Sequence, residues 1–187
     1  MASGTDAPQF RQPGSPIPAK AMRTAVALGS NLGDRLGNLH AAREAILQLS
    51  NVSPPIVSSL VYETEPVDCE AGAGKFLNAV VEFEYQGDPA SLLEQLIRIE
   101  EGLGRKREHP KNVSRIIDID LLYCGDQAID IGRLQLPHPR IDSRKFVLRP
   151  LVDIRPDLVL PGMKKTIRKL LEELDESVEV VRVADEW

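Results

Sequence analysis

The sequence predicts an α+β sandwich with a ferredoxin-like β-α-β-β-α-β core and additional C-terminal elements. Three observations predict it. Two amphipathic helical stretches are spaced so that one follows a first strand and the other follows a strand pair. The segment 76–85 alternates strictly, with Leu77, Ala79, Val81 and Phe83 on one face. A β-branched, apolar run at 115–123 then supplies the last core strand.

In chain order, residues 1–22 hold Pro8, Pro13, Pro16 and Pro18 among polar residues without hydrophobic period, and a disordered tail is expected there. A single domain is expected over 23–187. Ala25-Val26-Ala27-Leu28 reads as a short buried strand closed by Gly29-Ser30-Asn31-Leu32-Gly33. Asp34 can cap the helix that follows, whose stripe is Leu36, Leu39, Ala42, Ile46 and Leu49, and Pro54-Pro55 bars its continuation. A strand over 56–64 and the strand at 76–85 form an antiparallel pair. Asp88-Pro89 starts the second helix, with the stripe Leu92, Leu96, Ile99 and Leu103, and Gly102 and Gly104 stop it. Two helices on one face of the sheet are expected. Beyond the core, 127–131 reads as a short strand and 134–160 as Pro-punctuated, irregular chain with a short helix. A helix at 166–174 and a last strand at 178–183 complete the pattern.

The chain has 187 residues, 42% hydrophobic, 27% charged and 4% aromatic, the profile of a globular protein with few aromatic side chains. Lys and Arg number 23 against 28 Asp and Glu, a formal charge of −5 that argues against a nucleic-acid partner. Two cysteines, Cys69 and Cys124, are too few for a disulfide scaffold or a zinc site, and a reducing cytoplasm is expected. No segment approaches the roughly 20 apolar residues of a membrane span, and no membrane partner is expected. A monomer is expected.

The chemistry concentrates in Arg115-Ile-Ile-Asp118-Ile-Asp120-Leu-Leu-Tyr123. Side chains at i and i+2 of a strand share a face, so Asp118 and Asp120 point the same way, with Ile116 and Leu122 continuing their face and Ile117, Ile119, Leu121 and Tyr123 on the other. Two like charges on one face of a mostly buried strand require something positive between them, and a hard divalent cation such as Mg2+ suits the oxygen donors. The alternative is an ordinary strand with one solvated face. Arg105, Arg107, Lys111 and Arg115 precede the pair, and Arg133, Arg140, Arg144, Lys145 and Arg149 follow it. Such islands fit a small polyanion, or are solvated loops. His138, between Pro137 and Pro139, is a satisfied structural histidine or a phosphate contact. Phe76 and Phe146, two of four phenylalanines, pack in the core or sandwich a flat heterocycle. Gly72-Ala73-Gly74-Lys75 lacks the glycine and the hydroxyl that a phosphate-binding P-loop would need at Cys69 and Phe76.

Taken together, Ala27-Leu-Gly-Ser-Asn-Leu32, Phe76-Leu-Asn78, Ile99-Glu100, Gly104-Arg105, Arg115 through Asp120, Pro137-His138 and Arg144-Lys-Phe146-Val-Leu-Arg-Pro150 resemble the 6-hydroxymethyl-7,8-dihydropterin pyrophosphokinase family of folate biosynthesis. The resemblance covers about 24–161. It implies a ferredoxin-like enzyme that moves the pyrophosphoryl group of ATP to the pterin hydroxymethyl group and releases AMP, with these small molecules as its partners. It implies that Asp118 and Asp120 hold two Mg2+ ions and that Arg105 and Arg115 act in catalysis. It also implies pterin contacts at Thr64, Phe76, Asn78 and Phe146, and ATP contacts at Glu100, Arg107, Lys111, Arg115, Arg133, His138 and Arg144. Residues 108–114, Ile97 and Pro139 depart from the usual family pattern, which bears on the adenine contacts and on loop closure.

Overall fold

Short-range signals set the element boundaries in the computed structural model, which describes residues 20–66, 72–104, 114–175 and 177–187. The elements are β1 (Met22–Ser30), α1 (Arg35–Leu47), β2 (Val52–Ser58), β3 (Val61–Thr64), β4 (Phe76–Tyr85), α2 (Pro89–Gly102), β5 (Asp118–Cys124), β6 (Ile129–Ile131), β7 (Leu134–Leu136), α3 (Lys145–Ile154), α4 (Ile167–Glu172) and β8 (Val180–Ala184). The Asp34 carboxylate accepts the Gly37 N–H at 3.0 Å and starts α1. Asp88 does the same for Ser91 at 3.2 Å, with Pro89 at the position where a missing N–H costs nothing. Thr166 caps α4 through the Lys169 N–H.

The main sheet runs β5-β1-β4-β3-β8, with β2 also paired to β4, and every pairing is antiparallel. The order of its first four strands is that of the ferredoxin-like core, and β8 extends one edge. β6 and β7 form a separate hairpin.

Several expectations need correction. The first strand is longer than Ala25–Leu28 at both ends and takes in Gly29 and Ser30. The strand expected over 56–64 is two strands. β2 pairs with the Val81–Tyr85 half of β4, and β3 pairs with Phe76–Asn78. The β2 ladder shifts register between Ser53 and Val57, across Pro54-Pro55, because proline has no N–H to donate. Tyr123 does not share a face with Leu121. Ala25 pairs with Tyr123 and Val26 with Leu121, so Leu122 is the extra residue of a bulge and Tyr123 turns to the Asp face.

Helices cover both faces of the sheet, not one. Leu39, Ala42, Ile46, Leu92 and Leu96 of α1 and α2 pack on Val26, Leu28, Ala79, Val81, Phe83 and Ile119. On the opposite face Val147, Leu148 and Leu151 of α3, with Ile167 of α4, pack on Ala25, Val80, Leu122 and Tyr123. Each fully buried Leu, Ile or Val side chain contributes about 1.5–3 kcal/mol relative to exposure. The chain at 134–160, read as mostly irregular, holds β7 and the ten residues of α3. Pro150 lies inside α3, where its missing N–H leaves the Phe146 carbonyl without its helical partner but does not end the helix. Among the described residues no helix is long and apolar enough to cross a membrane.

Candidate active site

Register across the sheet assembles the site. On the face covered by α3, Asp118 of β5 lies opposite Gly29 of β1, Gly29 opposite Asn78 of β4, and Asn78 opposite Tyr62 of β3. One row further along, Asp120 lies opposite Ala27, and Ala27 opposite Val80. Cross-strand partners share a face, so both carboxylates point to the α3 side. Gly29 leaves a gap in the middle of its row. A Cβ built there would lie 3.4 Å from Asn78 Oδ1, 3.8 Å from Phe76 Cδ1 and 3.9 Å from Asp118 Cβ.

Among the described residues, Arg115 and Arg144 bring positive charge beside the aspartates. Arg115 Nη1 donates to Asp118 Oδ2 at 2.8 Å, and Arg144 Nη1 donates to Asp120 Oδ2 at 2.6 Å. These groups keep partial contact with solvent, with the Asp118 side chain 26% and the Asp120 side chain 31% exposed. His138 Nε2 stands 3.9 Å from Asp120 Oδ2, beyond hydrogen-bond reach. Its Nδ1 accepts the Arg140 N–H at 3.1 Å. Burial holds the imidazole pKa below its ordinary value, so the ring is neutral near pH 7 with its proton on Nε2.

Asp120 and His138 also line a cavity of about 240 Å³ with Leu121, Arg133, Gln135 and Pro139. Arg133 is well exposed at its rim and stands 3.7 Å from Glu94. On the other side of the aspartates, the Arg144 guanidinium lies 5.4 Å from the centre of the Phe146 ring. Asn78 Nδ2 donates to Thr64 Oγ1 at 2.9 Å, and Phe76 pairs with Thr64 in the sheet. Thr64, Phe76, Asn78 and Phe146 therefore stand on the α3 side of the sheet with Asp118. Glu100 is brought to the strand, not to the cavity. It reaches β5 from α2, and its Oε1 accepts the Ile119 N–H at 2.7 Å, between the two aspartates.

Asn31, in the loop that closes β1, joins two chain segments. Its Oδ1 accepts the Arg115 N–H at 2.7 Å, and its Nδ2 donates to Gly74 O and Ser114 Oγ. No local signal marks Asn31 or Gly29 for these roles, because their partners are 43 to 89 residues away in the chain. Arg105, Arg107 and Lys111 lie outside the described residues, as does most of the stretch 108–114.

The donor set suits Mg2+. Among the described residues no group of three or more His, Cys, Asp or Glu is placed to hold a metal ion. Two carboxylates on one strand face are the small protein share that Mg2+ takes when substrate phosphates and water complete its shell.

Residues 25–156 match the family model described as 7,8-dihydro-6-hydroxymethylpterin-pyrophosphokinase (HPPK). Proteins named 2-amino-4-hydroxy-6-hydroxymethyldihydropteridine pyrophosphokinase are similar along most of their length. The one from Haemophilus influenzae is 40% identical over 137 residues, 73% of this chain and 84% of that protein. The one from Methylorubrum extorquens is 40% identical over 156 residues, 83% of this chain and 95% of that protein. Among solved structures, the wild-type Plasmodium falciparum HPPK-DHPS with pterin and p-hydroxybenzoate superposes with a TM-score of 0.66 at 18% identity. That match covers 82% of this chain but only 43% of the Plasmodium chain, and it supports the fold alone. With the matched region reaching from β1 through α3 and enclosing the aspartate pair, the chain belongs to the 7,8-dihydro-6-hydroxymethylpterin-pyrophosphokinase family.

Proposed function

We propose that this chain transfers the pyrophosphoryl group of ATP to the hydroxymethyl group of 6-hydroxymethyl-7,8-dihydropterin, yielding the pterin diphosphate and AMP for folate synthesis. The observation that carries the reading is the row Asp118, Gly29, Asn78, which sets one carboxylate of the pair near Asn78 across a position without a side chain, where the reading puts a flat slot for the pterin. In the reaction the hydroxymethyl oxygen bonds to the β-phosphorus, and the bond from that phosphorus to the oxygen bridging the α-phosphorus breaks. AMP leaves with that oxygen, and the hydroxyl proton passes to solvent.

Asp118 and Asp120 would hold two Mg2+ ions, whose charge would offset that of the phosphates. The chain's own groups do the rest. Phe76 and Phe146 flank the pterin ring, and Asn78 with Thr64 reads its amide-like edge. Asp120, His138 and Arg133 border the nucleotide cavity, where the His138 Nε2–H is a donor to phosphate oxygen. Arg115 and Arg144, set beside the carboxylates, meet the charge that develops on the transferring group. Glu100 holds β5 from behind and so keeps the aspartates at fixed height. Arg105, Arg107 and Lys111 supply further phosphate contacts.

Product analysis with ATP, Mg2+ and the pterin tests the reading. Pterin-dependent AMP with a diphosphorylated pterin supports it, and ADP as the product contradicts it. Two variants address the slot. Phe146→Ala raises the Kd for pterin about tenfold or more and changes nucleotide binding by less than about twofold, as titration calorimetry with each ligand will measure. Equal losses for both ligands would remove the stacking role. Gly29→Ala meets only ordinary contacts in the folded protein, so its Tm stays near that of the parent. Its methyl group nonetheless intrudes on the gap, and pterin affinity falls about tenfold while nucleotide affinity holds.

A further inference from the structure

We propose that Tyr62 and Asp153 form a strut that sets the width of the pterin slot, positioning Phe146 against Thr64 and Asn78 without touching the substrate. The inference rests on the reading of that slot given above. Tyr62 is buried on β3, two residues from Thr64 and on the same face, and lies opposite Asn78 in the sheet. Its hydroxyl donates to both Asp153 carboxylate oxygens at 3.0 Å. The Leu60 N–H donates to Asp153 Oδ2 at 3.3 Å, so the same carboxylate grips β3 and the turn before it.

Asp153 lies on α3, and Phe146, Arg149 and Asp153 recur there at helical spacing on one stripe. Arg149 completes the contact. Its Nη2 stands 3.2 Å from Asp153 Oδ1, and its guanidinium lies 5.1 Å from the centre of the Tyr62 ring. Helix and strand are thus locked at two successive levels, Asp153 on Leu60 and Tyr62, and Arg149 on the Tyr62 ring. The next level along the stripe is Phe146 on the helix, and along the strand it is Thr64. A helix free to slide or roll at Asp153 would carry Phe146 with it, because α3 stays helical from Lys145 to Ile154 through Pro150. Burial and the neighbouring Asp153 push the Tyr62 phenol up to about 12, so the hydroxyl remains a donor at any working pH.

The test is a double-mutant cycle on the purified protein with Tyr62→Phe and Phe146→Ala, measuring KM for the pterin, KM for ATP and Tm. Tyr62→Phe keeps the ring and removes only the hydroxyl. The expected result is a pterin KM raised about fivefold to tenfold, an ATP KM within about twofold, and little further loss when Phe146→Ala is added. A role in stability alone would lower Tm and leave that split absent. Additive losses in the double variant, equal losses for both substrates, or an unchanged pterin KM would each overturn the strut. If Phe146→Ala by itself leaves pterin binding intact, the slot reading fails and the strut fails with it. If Phe146→Ala weakens pterin binding and Tyr62→Phe does not, the strut alone is refuted. Should Tyr62→Phe not fold, Asp153→Asn carries the same test, with about threefold loss expected because one carbonyl oxygen still accepts from Tyr62.

Discussion

Replacing Asp118 or Asp120 with alanine lowers kcat by about a thousandfold or more, while the protein stays folded. The size follows from charge. Each carboxylate is a hard anionic oxygen donor, with Asp118 opposite Gly29 in the sheet and Asp120 lining the cavity beside His138. Loss of one such group removes several kcal/mol of transition-state stabilisation, and each 1.4 kcal/mol is about a factor of ten in rate. The fold does not rest on either group, since both side chains are partly exposed and their short ion pairs with Arg115 and Arg144 lie at the solvent-facing site. Asp118→Asn and Asp120→Asn are the sharper versions. An amide oxygen still accepts from Arg115 or Arg144, so the Tm holds within a few degrees, yet the charge proposed to draw Mg2+ is gone. Turnover with Mg2+ and Mn2+ across a concentration series, beside the melting curves, checks both halves. Substantial activity in both alanine variants would remove the aspartates from the metal site.

Legibility in the sequence followed range. The shared face of Asp118 and Asp120 needs only the two-residue period of a strand, and the structure has it. Asp34, Asp88 and Thr166 act within three residues of themselves, and each caps the helix that its position announces. The Leu92 and Leu96 stripe needed only the helical period. What the sequence concealed depends on partners far along the chain. Gly29 reads locally as part of a turn, and becomes a gap beside Asp118 only once β5 pairs with β1. Tyr62 and Asp153 are 91 residues apart, and neither advertises the other. The helical coverage of the second sheet face was hidden by Pro150, a residue that usually ends helices and here sits within α3. Tyr123 was assigned to the wrong face because a bulge adds one residue and reverses the alternation, and periodicity cannot show where a bulge falls. The family resemblance supplied residues that patterning could not single out. Phe76 and Phe146 come from different segments, and only the packing of α3 on the sheet puts them on one side of it.

Replacing Glu82 with alanine destabilises the fold by about 3 kcal/mol, the low end of the cost of breaking a buried ion pair, and lowers Tm by roughly 6–12 °C. Glu82 lies on β4 and faces α3, with only 2% of its surface exposed. Arg155, immediately after α3, grips it with two nitrogens, Nη2 to Oε1 at 2.6 Å and Nε to Oε2 at 2.9 Å. The Tyr123 hydroxyl donates to the same carboxylate, and Arg23 Nε stands 3.5 Å away. Burial, together with this carboxylate, drives the Tyr123 phenol far above its ordinary pKa, so the hydroxyl is a donor that needs an acceptor. Alanine strands that donor in the core and leaves the guanidinium without its partner. Arg155 retains a path to solvent through its partly exposed side chain, which is why the low end of the range applies. Glu82→Gln keeps an acceptor for Tyr123 and should lose about half as much. The double variant Glu82→Leu with Arg155→Met removes both charges together, and its stability should recover most of the way to the parent despite the unsatisfied phenol. Thermal and urea unfolding of the four proteins decide the matter. If the single and double variants are equally destabilised, the loss comes from the stranded Tyr123 hydroxyl and the packing around β4, and the charge of the ion pair contributes nothing of its own.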